Sequence, residues 1–266
     1  MKKYISLLII AVTAASPLWA QNDVDRVKGA WVDLQIGQQI GLNDWSNVGY
    51  VNDGLASTSI TELRGVLNLY LFSPIIGAFA DIGLGIMPPP DMKSLDLGRM
   101  PMPVNGTQYY LREVLSESGV TNTSAHFKFT AGLMSDLRVT EKLNIMPYFG
   151  VGGFTMSRRD YEILLKEAGS NMQYNTKYVW GKDSGEGESY GSSSDVLGYL
   201  SYRLNFKYKI NRKSSLLLGL EYTHSFDTMN FYGRYSNTFN GNVQKNIMTK
   251  GNKLNMIGIT AGISFR

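Results

Sequence analysis

Seven charged residues of this chain share a property that is visible before any fold is known. Glu62, Arg64, Asp81, Lys128, Arg203, Lys207 and Glu221 each lie in a stretch where apolar residues alternate with small or polar ones, and each falls on the small and polar parity. Acids and bases gathered on one side can form a path for ions or protons, or they can neutralise one another. Buried charge persists by pairing, so a self-neutralising network is the expected reading. Nucleophilic catalysis would instead need a nucleophile, a base and an orienting group within mutual reach. The chain has two histidines. His126 has the parity of Lys128, whereas His224 has that of Leu220 and Tyr222, so the two point to opposite faces. His224, Ser225 and Asp227 are close in sequence, but spacing alone makes no relay, and no catalytic residue is assigned. In "GKDSGEGESYG", Asp183, Glu186 and Glu188 could offer oxygen ligands to Ca²⁺, yet their spacing fits no EF-hand loop. A solvated acidic tip is expected there, with neither metal nor cofactor. Tyr109, Tyr110, Tyr178 and Trp180, set among Asn, Ser and Gly, have the composition of adaptable contact surfaces.

Strands must position these residues, because the surrounding alternation has period two. The last twelve residues, "NMIGITAGISFR", set Ile257, Ile259, Ala261, Ile263 and Phe265 against Gly258, Thr260, Gly262 and Ser264. Eight such segments are read, at 29–41, 58–71, 76–87, 124–137, 143–156, 196–210, 215–226 and 255–266. Leu69, Ile82, Leu204, Leu218 and Ile259 mark their apolar faces. Pro147, inside the fifth, predicts a strand end or a bulge. Connections alternate strictly in length. Those at 72–75, 138–142 and 211–214 are hairpin turns, while those at 42–57, 88–123, 157–195 and 227–251 are long. Within the third long connection, Tyr161, Leu164, Leu165 and Ala168 predict a short helix over 159–168. Four long and three short connections fit an even-stranded antiparallel barrel that crosses a membrane. The predicted fold class is therefore all-β: an eight-stranded antiparallel transmembrane β-barrel. Its apolar face meets lipid, and its lumen is filled by side chains rather than by an aqueous channel.

The first twenty residues read as a secretory signal, with Lys2 and Lys3 before an apolar run and Pro17 before Ala20. Cleavage is expected after Ala20, or after Ser16 with Ala14 upstream, leaving 21–266 as one barrel domain. Loss of Lys2 and Lys3 lowers the formal charge of +4 by two, so nucleic-acid binding gains no support. The absence of cysteine excludes disulfides, thiol chemistry and a lipoprotein anchor. Charged residues, at 18%, are scarcer than the roughly 25% usual in soluble domains, while 28 Gly and 16 Tyr suit a sheet protein.

On these features, together with the stretch "PYFGVGGF" at 147–154 and the closing aromatic Phe265, the chain resembles the small outer-membrane β-barrels of the OmpA and OmpX type. The resemblance implies a bacterial outer membrane, periplasmic termini and short turns, and extracellular long loops. It also implies contact with outer-membrane lipids and lipopolysaccharide, and recognition by the barrel-assembly machinery through the strand ending at Phe265. The function expected is that of a non-enzymatic surface protein whose connections 88–123 and 157–195 contact external or envelope molecules, for adhesion or scaffolding. A lipid A deacylase-like enzyme and a barrel subunit of a larger envelope assembly are the alternatives. The His-x-Ser pattern of the deacylases is absent, since Lys128 and Phe226 stand two residues after His126 and His224.

Overall fold

Alternation alone would leave eight ribbons with an apolar face each; hydrogen bonding joins them into a ring. The computed structural model describes residues 29–42, 59–70, 75–88, 97, 106–114, 124–157, 159–182, 194–237, 243–249 and 253–266. The expected signal segment and Asp183, Glu186 and Glu188 lie outside these. The strands are β1 (Ala30–Leu42), β2 (Ser59–Tyr70), β3 (Ile76–Met87), β4 (Tyr109–Val114), β5 (Ser124–Ser135), β6 (Leu137–Arg138) and β7 (Leu143–Ser157). They continue with β8 (Arg159–Glu167), β9 (Gln173–Lys182), β10 (Ser194–Lys209), β11 (Ser214–Asn237), β12 (Val243–Thr249) and β13 (Lys253–Phe265).

Strands β1, β2, β3, β5, β7, β10, β11 and β13 pair in that order, all antiparallel, and β13 closes on β1. Register keeps like faces together: Ile36 lies opposite Leu63 on β2 and Ala261 on β13, so the apolar parity stays outside all the way round. Closure leaves no barrel edge with unpaired backbone, the condition for a sheet to stand in hydrocarbon.

Small residues make room for large ones inside. Gly132 and Gly150 face each other across β5 and β7. A Cβ on Gly132 would collide with the Phe149 carbonyl oxygen, and one on Gly150 would come within 2.7 Å of Phe79 Cζ. Phe79 and Tyr148 fill that space edge to face, ring centres 5.0 Å apart, within a buried cluster that includes Trp31, Val66, Met134 and Met146.

Side chains fix the short turns. In the β10–β11 turn, Asn211 Oδ1 accepts from the backbone N–H of both Lys213 and Ser214 at 2.8 Å, an Asx turn that substitutes for a missing backbone partner. Thr140 Oγ1 accepts similarly from Lys142 and Leu143 in the β6–β7 turn. Asn211→Ala is expected to cost about 1 kcal/mol, read as a lower urea midpoint of the refolded protein with unchanged barrel content by circular dichroism. An unaltered midpoint would show that the turn is set by its strands alone.

Three expectations are corrected. Residues 159–168 form no helix: β8 occupies Arg159–Glu167 and is paired to β9 on one side and β4 on the other. Ile163 and Leu165 are both fully buried, a spacing of two, and Leu164 lies on the opposite face. Two neighbouring strands outweigh the local helical spacing, because pairing and burial decide β structure more than intrinsic preference does. The long connections 88–123, 157–195 and 227–251 are also not purely loops. They carry β4, β8, β9, the outer part of β11 and β12, which form a five-stranded sheet in the order β12-β11-β9-β8-β4. Strand β11 joins the two sheets. Past His224 its register against β13 shifts, a bulge of the kind that redirects a strand, and Met229–Asn237 runs on between β9 and β12 for roughly 30 Å of extended chain. Finally, Pro147 neither ends nor bulges β7. It pairs with Leu204 in continuous register, while the ladder on the other side pauses between Met134↔Tyr148 and Leu137↔Ile145 and resumes unshifted. The pause falls where proline has no N–H to donate.

Candidate functional site

Strand direction stacks the inward residues into layers. At mid-height, β2 contributes Glu62 and Arg64, β3 Asp81, β5 Lys128, β10 Arg203 and β11 Glu221, each no more than 3% exposed. Glu221 is the hub. Its Oε2 accepts from Arg64 Nη2 at 2.6 Å and from Gln39 Nε2 at 3.1 Å, and its Oε1 accepts from Lys128 Nζ at 3.0 Å and Ser201 Oγ at 2.8 Å. Glu62 accepts from Arg64 Nε at 2.8 Å and Gln39 Nε2 at 3.0 Å, with Lys128 Nζ 3.8 Å away. Arg203 Nη2 donates to Asp81 at 2.5 Å and lies 3.8 Å from Glu221. Aromatic faces complete the cationic side: Lys128 stands over Tyr199, and Arg203 over Phe79 and Tyr148.

Three carboxylates meet three cations here, so the layer is formally neutral. Pairing and hydrogen bonding offset part of the desolvation cost of these buried charges, while Arg64 Nη1, Asp81 Oδ1 and Arg203 Nε and Nη1 are buried without a hydrogen-bond partner, and this layer occupies the cross-section that ions would need. Inward Ile60, Met87, Phe154, Leu197, Tyr199 and Met256, all buried, cover it towards the long connections. The Phe79–Tyr148 cluster covers it towards the short turns. Buried side chains, apolar ones beside polar ones such as Asp33, Asn68 and His126, thus pack against the charged layer on both sides.

Lys207 does not join this layer. It lies nearer the short turns, with Nζ 4.7 Å from the Trp31 ring centre. Gln39 and Ser201, absent from the residues singled out in the sequence, bind both carboxylates or the hub directly. Their inward parity was the available signal, but nothing in a neutral side chain's sequence position announces an acidic partner twenty or more residues away. Two further acids are held by neutral donors: Asp33 accepts from Asn68 Nδ2 at 2.9 Å, and Asp136 accepts from Tyr70 Oη at 2.6 Å and Asn144 Nδ2 at 2.5 Å.

The histidines are apart. His126 is buried inside, where a Cβ on the facing Gly85 would collide with its imidazole. His224 is on the outer face, with Nδ1 2.6 Å from Asn255 Oδ1. Ser225, one residue on, is fully buried inside and donates to the Asp227 carbonyl at 2.9 Å. The Asp227 carboxylate accepts from the Gly198 N–H at 2.9 Å. Alternate facing thus separates base from nucleophile in the trio at the rim.

Among the contact candidates, Tyr109 is buried in β4, its ring 5.7 Å from that of Tyr174 and edge-on. Tyr110, on the other face of β4, is exposed. Tyr178 and Trp180 lie in β9, a strand rather than a loop; their side chains fall outside the described residues.

On the barrel's outside the burial order inverts. Leu63 is 62% exposed, Ile82 58% and Ile259 59%, and Leu69, Leu204 and Leu218 are exposed with them. Apolar exposure on every strand of the ring far exceeds the isolated patches of a soluble monomer. Apolar outside and polar inside, with no edge between, is the arrangement hydrocarbon requires. Fold and site together define a small transmembrane β-barrel of the outer-membrane type with an occluded lumen.

No family model and no curated protein matches the sequence. Among solved structures, the chain is similar to Neisserial surface protein A, NspA, at 9% identity and a TM-score of 0.43, covering 90% of this chain and 99% of that one. It is similar to Ail, the attachment invasion locus protein of Yersinia pestis, at 11% identity and a TM-score of 0.40, covering 90% and 100%. The outer membrane protease OmpT from Escherichia coli follows at 10% identity and a TM-score of 0.31, covering 89% and 95%. At these values the likeness bears on neither activity nor partners.

Proposed function

We propose that this chain is a non-enzymatic outer-membrane barrel, its termini and short turns in the periplasm, that presents the β12-β11-β9-β8-β4 sheet outside the cell as a contact surface for external or neighbouring envelope molecules. The observation that carries this reading is the continuation of strands past the apolar belt. Ordering so much backbone costs about 1–2 kcal/mol per residue, which a structure without a role at that end would not need. Two features weigh against other roles. The neutral layer around Glu221 fills the lumen, which disfavours solute conduction, and the facing of His126, His224 and Ser225 disfavours hydrolysis at the rim. Outer-membrane lipids and lipopolysaccharide surround the belt in this reading, and the strand ending at Phe265 is offered to the barrel-assembly machinery.

Exposed Tyr110 provides the test. A photoreactive phenylalanine at that position, illuminated on intact cells, is expected to yield discrete adducts with lipopolysaccharide or with another envelope or external molecule. The same residue placed at buried Tyr109 is expected to yield none. Smears without a discrete adduct at Tyr110 would overturn the proposal. So would a change in lipid A acyl chains, seen by mass spectrometry after incubation of lipopolysaccharide with the purified protein and abolished by His224→Ala.

A further inference from the structure

The barrel holds its charges in two contrasting ways. At mid-height three acids and three bases neutralise one another. At the short-turn end cations outnumber acids: a cavity of about 460 Å³ is lined by Arg138, Lys142, Lys207, Lys209, Arg212, Lys213 and Arg266 together with Asp136 and Glu141, and buried Asp33 also acts on Lys207. Asp136 already accepts from Tyr70 and Asn144. The cations come from three separate segments: Arg138 of β6 with Lys142 of the turn after it, Lys207 and Lys209 of β10 with Arg212 and Lys213 of the turn after it, and Arg266 after β13. Backbone bonds tie those segments together: Lys209 N–H donates to the Lys142 carbonyl at 2.8 Å, and Arg266 N–H to the Lys213 carbonyl at 3.0 Å. The positive groups therefore cannot disperse by moving their backbones apart. Like charges fixed around one concavity raise its potential and concentrate counter-ions there.

The cavity also has a floor. Trp31, 3% exposed, lines it with an indole N–H that has no hydrogen-bond partner, and Lys207 stands over that ring. Trp31, Ser264 and Lys207 hold inward strand positions, so the cavity opens along the barrel axis and not onto the apolar belt. That direction suits a soluble anion better than a lipid headgroup. Its volume lies within the roughly 300–1,000 Å³ of small-molecule sites.

We propose that the short-turn mouth binds a small multivalent oxyanion of the phosphate or polycarboxylate type, clasped between the two turns and Arg266, with Lys207 and Trp31 beneath it. Guanidinium groups of Arg138, Arg212 and Arg266 match such oxyanions in a forked geometry, and the lysines add point charges.

Titration calorimetry on the refolded full chain, in zwitterionic detergent at low salt, decides the matter. Pyrophosphate and citrate are the probes, and the tighter of the two identifies the source of the anionic groups. Saturable one-to-one binding is expected. It should weaken at least tenfold in Lys207→Gln and in the exposed double variant Arg212→Gln/Lys213→Gln, and stay unchanged in Arg112→Gln, which removes a cation from distant β4. Heat-modifiable migration on gels verifies that each variant is folded. No saturable heat with either probe would overturn the proposal. Equal weakening by Arg112→Gln would also overturn it, because binding would then follow overall charge rather than this cavity.

Discussion

Glu221→Gln is expected to lower the stability of the refolded barrel by about 3–5 kcal/mol, the cost of leaving buried charges without their partner. The carboxylate accepts from Arg64, Gln39, Lys128 and Ser201 and stands 3.8 Å from Arg203. An amide of the same shape keeps the volume but removes the charge, and its nitrogen would face donors. Arg64 and Lys128 would then be balanced by Glu62 alone. Urea unfolding in phospholipid vesicles measures the effect. The pairwise origin is tested by the double variant Glu221→Gln/Arg64→Met, which removes one acid and one base together. Its loss is expected to fall clearly short of the two single losses combined, since residues in one network couple. Strict additivity, or a Glu221→Gln barrel as stable as the parent, would mean that the layer is hydrated and screened rather than sealed.

Ile82→Arg probes the opposite face. Ile82 sits in the middle of β3, opposite Gly65 on β2 and Phe129 on β5, and is more than half exposed on the belt. An arginine near the bilayer midplane on a lipid-facing barrel position costs roughly 2–4 kcal/mol. The same substitution on a water-exposed strand would cost little. Measured in vesicles, a loss of that size is expected for Ile82→Arg, and a loss near zero for Arg at Val139, an exposed residue of the β6–β7 turn. Equal small effects at both sites would place Ile82 in water and end the membrane reading of the belt.

Facing was legible from sequence because it depends on one local rule, the alternation of side chains along a strand. Leu69, Ile82, Leu204, Leu218 and Ile259 lie outside and Glu62, Arg64, Asp81, Lys128, Arg203 and Glu221 lie inside, each at the parity on which it stands in the chain. Short turns were legible for the same reason: few residues between two alternating runs leave no other path.

Local rules could not supply who meets whom. Glu221 and Arg64 are far apart in the chain, and only ring closure with the registers of β1–β2, β1–β13 and β11–β13 brings them to 2.6 Å. The outer sheet was hidden for a related reason. The stretch at 159–168 carries Leu164 and Leu165 in succession, compatible with a helical stripe, and its strand form is decided by pairing with β9 and β4. Each of those partners lies in a connection whose own alternation is short. The basic mouth is likewise a tertiary product, assembled from cations on segments tied by backbone bonds. The sequence by itself determined the strands of the barrel and the face each residue presents, because both follow from bonds between near neighbours. The charge-paired hub, the outer sheet and the anion-attracting mouth were decided only when closure fixed distances between residues remote in the chain, since Coulombic and hydrogen-bond energies depend on those distances.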